Sequence, residues 1–94
     1  MKVSANTFMV TGGCSGLGEA CVRRLVDQGA NVVIADIDEA RASETAQDLG
    51  ANALAVRMDV TEQSSIDDAI ARTIEAFGHI DILINNAALF TAAP

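Results

Sequence analysis

Tryptophan and tyrosine are absent from this chain, and its only aromatic residues are three phenylalanines. A packed interior must therefore be assembled from Ala, Val, Ile, Leu and Met. With half of the 94 residues hydrophobic, there are enough of them for the chain to fold rather than stay disordered. Basic residues are scarce, six against thirteen acidic ones, for a net charge of −7. That balance disfavours nucleic acid and anionic membrane surfaces, both of which reward clustered Lys and Arg. Two cysteines, Cys14 and Cys21, make no disulfide framework, and no CxxC or Cys/His cluster suggests a metal site. No apolar run reaches the ~18 residues of a membrane helix. Lys2 is followed by polar Ser4, Asn6 and Thr7, which is no signal-peptide pattern. The expectation is a reducing, cytoplasmic setting. Proline occurs once, as Pro94, and no linker or low-complexity segment divides the chain.

What is present is a glycine-rich run, Thr11-Gly12-Gly13-Cys14-Ser15-Gly16-Leu17-Gly18, between an apolar β-prone stretch and an amphipathic helical one. Such a run suits a nucleotide-binding βαβ unit. Its first glycine allows a tight turn, its middle glycine a close backbone approach to a pyrophosphate, and its last close helix–strand packing. The helix start offers unpaired N–H groups and a positive dipole end to phosphates. Eighteen residues beyond Gly18, Asp36 closes a second apolar run, where an acidic side chain can accept hydrogen bonds from a ribose. In a chain this acidic, an anionic dinucleotide must be held by backbone amides rather than by the overall field.

Periodicity places the elements. Thr7–Thr11 reads as a buried strand. A helix follows over about Ser15–Gln28, with Leu17, Cys21 and Leu25 on one stripe, Val22 and Val26 beside it, and Gly29 at the C-terminal cap. Asn31–Ala35 is a second strand of the all-apolar kind found in parallel sheets. Asp38 caps a helix running to Leu49, with Ala42, Ala46 and Leu49 inward and Gly50 as the stop. The charges from Glu39 to Asp48 read as its wetted face. Ala53–Met58 is a third strand. Thr61 caps a helix whose inner face is Ile66, Ile70, Thr73, Ile74 and Phe77, ending at Gly78. His79 reads as a solvent-facing turn residue, and Ile80–Ile84 as a fourth strand leading into Asn85-Asn86-Ala87-Ala88. A β-α-β-α-β-α-β order at a pitch of roughly 25 residues implies parallel strands with right-handed crossovers.

These residues together resemble the N-terminal half of the short-chain dehydrogenase/reductase family. Its Thr-Gly-x-x-x-Gly-x-Gly is matched by Thr11, Gly12, Gly16 and Gly18, and its acidic end of strand two by Asp36. Its Asp-Val after strand three is matched by Asp59-Val60. Its Asn-Asn-Ala-Gly after strand four is matched by Asn85-Asn86-Ala87, with a departure at Ala88. The resemblance covers essentially the whole chain. Within the family, the glycine-rich segment is similar to short-chain 3-hydroxyacyl-CoA dehydrogenases, and the Asn-Asn-Ala-Ala-Leu-Phe end to sorbitol-type polyol dehydrogenases.

The resemblance implies an α/β fold, half of a doubly wound Rossmann fold, with a parallel four-stranded sheet of order 3-2-1-4 and helices on both faces. Residues 1–94 would form one partial dinucleotide-binding domain. It also implies a cofactor site. Gly12, Ser15, Gly16, Leu17 and Gly18 would lie at the pyrophosphate and Asp36 at the adenosine ribose, while Asp59 and Val60 would touch the adenine. Asn86 and Ala87 would line the next stretch. NAD is preferred over NADP because a 2′-phosphate beside Asp36 is repelled, and Ser15 and Ile37 are uncharged where a basic residue would help NADP.

Family chemistry uses a Ser, a Tyr-x-x-x-Lys pair and an Asn after strand four. This chain has no tyrosine, its only lysine is Lys2, and it stops at Pro94. The expectation is an NAD-binding portion, truncated and inactive alone. The alternative is a non-enzymatic nucleotide-binding or structural βα module, engineered or complementing a partner chain. On either reading Ile80–Ile84 becomes an open apolar edge, through which the chain self-associates or pairs with a complement.

Plainer roles stand beside these. Asp36 can serve only as a helix cap, Asp59 only as a turn residue, and Asn85 and Asn86 only as partners of backbone groups. Cys14 sits near a helix N-terminus, which can lower a thiol pKa, and Cys21 reads as a small core residue.

Overall fold

In a computed structural model, residues 2–86 are described. After a 3₁₀ turn at Val3–Ala5 come β1 (Thr7–Thr11), α1 (Gly16–Asp27), β2 (Asn31–Asp36), α2 (Glu39–Leu49), β3 (Ala53–Arg57), α3 (Gln63–Phe77) and β4 (Ile82–Asn85). All strand pairs are parallel, and the sheet order is β3-β2-β1-β4. The α/β alternation and strand order expected from the sequence are those of the fold.

Strand alternation sorts the core onto two faces. Phe8, Val10, Val32 and Ile34 meet Val22 of α1 and Ala42 of α2 on one side. Met9, Val33, Ala35 and Val56 meet Ala69 of α3 on the other. β2 lies inside the sheet and is covered on both faces, which is why Val32, Val33 and Ile34 are fully buried and the strand reads as a continuous apolar run. Each such side chain contributes about 1.5–3 kcal/mol of burial. Register places Thr11 opposite Ala35 and Asn85, so β1, β2 and β4 end together beneath the glycine-rich turn.

Several boundaries and faces differ from expectation. Ser15 is the N-cap of α1 rather than its first residue. Leu17 is 68% exposed, not on the buried stripe; that stripe runs instead through Val22, with Leu25 and Val26 partly buried. Asp38 does cap α2, accepting from the Arg41 N–H at 3.2 Å. Thr61 does not cap α3. The N-cap is Glu62, with no side-chain bond, because Asp59 engages both the N–H and the hydroxyl of Thr61 in a tight Asx-type turn. The inner face of α3 is Ala69 and Thr73, with Ile66 and Phe77 partly buried, while Ile70 and Ile74 lie outward, Ile74 at 50% exposure. The small Ala69 lets the helix approach the sheet, and the two isoleucines are rotated off that contact.

The fourth strand begins at Ile82 rather than Ile80, because Asp81 is occupied at the foot of β1. Its carboxylate accepts the Thr7 N–H at 2.8 Å and pairs with His79 Nε2 at 2.9 Å. His79 is thus solvent-facing but paired. Among the described residues β4 stands at the sheet edge, with Leu83 58% exposed. No helix among them is long and apolar enough to cross a membrane, and no group of three His, Cys, Asp or Glu could hold a metal ion.

Candidate functional site

The glycine-rich turn links the C-terminal end of β1 to α1. Gly12 has φ +66°, a conformation that favours glycine, and its N–H donates to Ala35 O at 2.8 Å, tying the turn to β2. Gly18 lies against the turn so closely that a Cβ there would stand 2.3 Å from Gly12 O and 3.0 Å from Asn86 Nδ2. Gly16 is the opposite case: a Cβ there would meet nothing within 4 Å. The middle glycine therefore fronts open space at the first turn of the helix, where N–H groups lack intrahelical acceptors. Gly13, which the motif reading left as a variable position, packs on β2, since its Cβ would fall 2.7 Å from Ile34 Cγ2.

Ser15 and Asn86 knit the turn together. Ser15 Oγ donates to Gly12 O at 2.9 Å and accepts from the Gly18 N–H at 3.2 Å. Asn86, just beyond β4 and 6% exposed, donates Nδ2–H to Gly12 O at 3.1 Å and to Ser15 Oγ at 2.7 Å. Because Gly12 O can only accept, the nitrogen end of the carboxamide must face the turn. Both amide protons of Asn86 are thereby used within the protein. Thr11 Oγ1 similarly donates to Asn85 Oδ1 at 2.9 Å. Ala87 lies outside the described residues.

Asp36, at the end of β2, is held by two backbone amides. Cys14 N–H donates to its Oδ2 at 2.9 Å and Asp38 N–H to its Oδ1 at 3.0 Å. Neither donor was visible as such in the sequence, since any non-proline residue supplies an N–H; what places them is the tertiary approach of the turn to β2. A carboxylate has about four acceptor positions, so some remain after these bonds and the approach of the Cys14 thiol. Gly12, Ala35, Asp36, Ile37, Met58, Asp59 and Val60 line a cavity of about 180 Å³. Turn, carboxylate and the β3 exit thus border one cleft. Ala35 and Met58 were not singled out from the sequence; both are buried core residues whose edges reach the cleft. Ile37 and Val60 are exposed flanking walls. Asp59 Oδ1 accepts from Thr61 N–H at 2.9 Å and Thr61 Oγ1–H at 2.6 Å, and these bonds, with Arg57 nearby, hold its carboxyl below the usual carboxylate range.

The Cys14 thiol is not activated. Burial, the Asp36 carboxylate and then Asp38 push it up to about 12, overriding any helix-dipole effect and the small opposing influence of Arg41. Arg41 is a basic group that the sequence reading passed over. It stands in the first turn of α2 and pairs with Glu19 Oε1 at 3.8 Å.

Comparison with known proteins bears on the fold and the family. Residues 6–94 match the short chain dehydrogenase family model, and the chain belongs to that family. It is 45% identical over its full length to a sorbitol dehydrogenase of Cereibacter sphaeroides, of which it covers 37%. It is 39% identical over 84 residues to 3-hydroxyacyl-CoA dehydrogenase type-2 of Drosophila melanogaster, with 89% of this chain and 33% of that protein aligned. Among solved structures it resembles a 3-ketoacyl-(acyl-carrier-protein) reductase from Brucella melitensis complexed with NADH. That likeness has TM-score 0.84 and 37% identity, over 86% of this chain and 34% of the other. The chain spans about a third of the length of the curated relatives it matches.

Proposed function

We propose that this chain binds NAD(H) and serves as the dinucleotide-binding portion of an NAD-dependent short-chain alcohol dehydrogenase or ketoreductase. The observation that carries the reading is the single cleft bordered by Gly12, the amide-held Asp36 carboxylate and the Asp59-Val60 exit, beside the open space at Gly16. A Cβ-free cradle at a helix start and a fixed carboxylate that keeps acceptor capacity suit a diphosphate and a ribose diol respectively.

In this reading the amides at Gly16 and Leu17 meet the diphosphate, with Gly12 and Gly18 shaping the turn around it. Asp36 accepts the two ribose hydroxyls. Ile37 and Val60 flank the adenine, with Asp59 at its rim and Asn86 and Ala87 along the next stretch. Bound NAD supplies the hydride acceptor for an alcohol, or as NADH the donor for a carbonyl. The chain contributes binding and orientation and no proton-transfer residue of the family type, because it contains no tyrosine. It is accordingly inactive alone.

Discrimination against NADP follows from the Asp36 carboxyl group beside the ribose, which leaves no room for a 2′-phosphate. Arg41, the nearby cation, is already directed to Glu19. A thermal melt with added NADH tests the proposal. At ten times Kd the ligand adds about 1.4 kcal/mol, a rise on the order of 6–11 °C for a domain of this size. A flat melt up to millimolar NADH refutes it.

A second reading is a non-enzymatic module that pairs with a complementing chain or with itself. The outward Ile70 and Ile74 of α3 and the exposed Leu83 on the edge strand favour it. Sedimentation that shows a monomer at all concentrations, with no NADH response, would remove the dinucleotide reading and self-pairing together, leaving only a complementing chain.

A further inference from the structure

Cys14 is 6% exposed and packs in the core on the α1 and α2 side of the sheet. Asp36 lines the cleft, and neither Cys14 nor Asp38 does. Both nevertheless hold the Asp36 carboxyl group. The Cys14 N–H reaches Oδ2 at 2.9 Å, the Asp38 N–H reaches Oδ1 at 3.0 Å, and the Cys14 thiol hydrogen-bonds the same carboxyl group. Sγ also lies 3.7 Å from Asp38 O, so the acceptors around the thiol proton belong to the turn between β2 and α2. Burial and the Asp36 carboxylate push the thiol up to about 12, which makes it a donor and not a nucleophile in the neutral range. Of the three donors to Asp36, two are main-chain groups that any non-proline residue supplies. Only the thiol depends on the residue type.

We propose that the Cys14 side chain is a positioning residue for Asp36: its S–H, given from the core side, fixes the rotation of the carboxyl group so that the remaining acceptor positions face the cleft, where a ribose diol meets them. The proposal rests on the dinucleotide reading above. It gives the thiol a role through Asp36 and no contact with the ligand. A diol bridging one carboxyl group needs both oxygens at a set angle, and a group held from behind by three donors reaches that angle before the ligand arrives. Less of the binding free energy is then spent on ordering the side chain.

The test is fluorescence titration of the 94-residue chain with NADH in three variants. Cys14→Ala is expected to weaken binding about fivefold, the loss of one modest hydrogen bond. Cys14→Ser keeps a donor and should bind within about twofold of wild type. Cys14→Val fills the space without a donor and should be as weak as Cys14→Ala. A residue that only packs gives the reverse order, because valine then replaces it better than serine. A series in which Cys14→Ser binds no better than Cys14→Val overturns the proposal, as does a Cys14→Ala affinity within about twofold of wild type.

Infrared spectroscopy of the ligand-free protein supplies a second readout. The S–H stretching band of Cys14, identified by its loss in Cys14→Ser, should move to higher frequency in Asp36→Ala, where the carboxyl acceptor is gone. A band that stays in place overturns the contact, whatever the titrations give. Failure of wild type to bind NADH removes the function reading and the thiol's service to a ribose together, and the band then decides by itself whether Cys14 holds Asp36.

Discussion

Replacing Gly16 and Gly18 by alanine, one at a time, should move stability in opposite directions and ligand binding in the same one. At Gly18 the new methyl would start 2.3 Å from the Gly12 carbonyl oxygen, about 1 Å inside any ordinary contact. The turn must shift, at the cost of about 1–3 kcal/mol typical of overpacking. The better helix propensity of alanine offsets up to ~1 kcal/mol of that. A net loss of about 1–2 kcal/mol lowers Tm by roughly 4–16 °C in a chain of this length.

At Gly16 the methyl meets nothing within 4 Å, and the residue is not among the glycines with positive φ. The substitution then acts on the unfolded chain and stabilises by about 0.4–1 kcal/mol, raising Tm by roughly 2–8 °C. Yet the same methyl stands where a diphosphate must approach the helix amides, so NADH affinity should fall by about 10–100-fold, or 1.4–2.8 kcal/mol. Paired calorimetric melts and NADH titrations read both quantities. A Gly16→Ala protein that is more stable and binds NADH as wild type does would refute the cradle. A Gly18→Ala protein of unchanged stability would refute the close approach of helix to turn.

Further expectations concern the rest of the cleft and the outer faces. Asp36→Asn should weaken NADH binding at least tenfold and destabilise by about 1–3 kcal/mol, since one amide donor then faces an NH₂ group; unchanged affinity for both NADH and NADPH would count against the ribose assignment. The buried Cys14 thiol should resist alkylation at pH 8 in the native chain and react readily in denaturant. Because its folded pKa is raised, the folded state keeps the proton that the unfolded state loses. Stability should therefore fall as pH climbs from about 9 to about 12 and be insensitive to this group below that window. Cys14→Ala should flatten the alkaline limb, and an identical limb would mean another group is responsible. Leu83→Lys, a charge on the exposed edge strand, should shift any concentration-dependent sedimentation toward monomer with stability changed by no more than about 0.5 kcal/mol; self-association that survives it does not run through β4.

Much of this was legible in the sequence, and the reasons it was are physical. β2 is a central strand covered on both faces, so Val32-Val33-Ile34 had to be unbroken and apolar. The glycines at 12, 16 and 18 have no equivalent reason to sit at that spacing except a turn, an open amide end and a tight helix contact. What the sequence hid are interactions that any residue type can make. The donors to Asp36 are main-chain N–H groups of Cys14 and Asp38. The outward rotation of Ile70 and Ile74 depends on where Ala69 seats α3, which periodicity alone does not fix. Thr61 reads as a helix cap until Asp59 is seen to engage it. The Cys14 thiol near the start of α1 is raised rather than lowered because it is buried and, beyond that, lies beside the Asp36 carboxylate.

The central claim is that main-chain amides at the start of α1 receive a diphosphate while Asp36 takes the ribose. Nitrogen-15 NMR of the chain titrated with NADH tests it directly. The account predicts saturable shifts at the Gly16, Leu17 and Gly18 amides, abolished together by Asp36→Ala. Shifts confined to another face, or none as NADH is raised to millimolar levels, would contradict it.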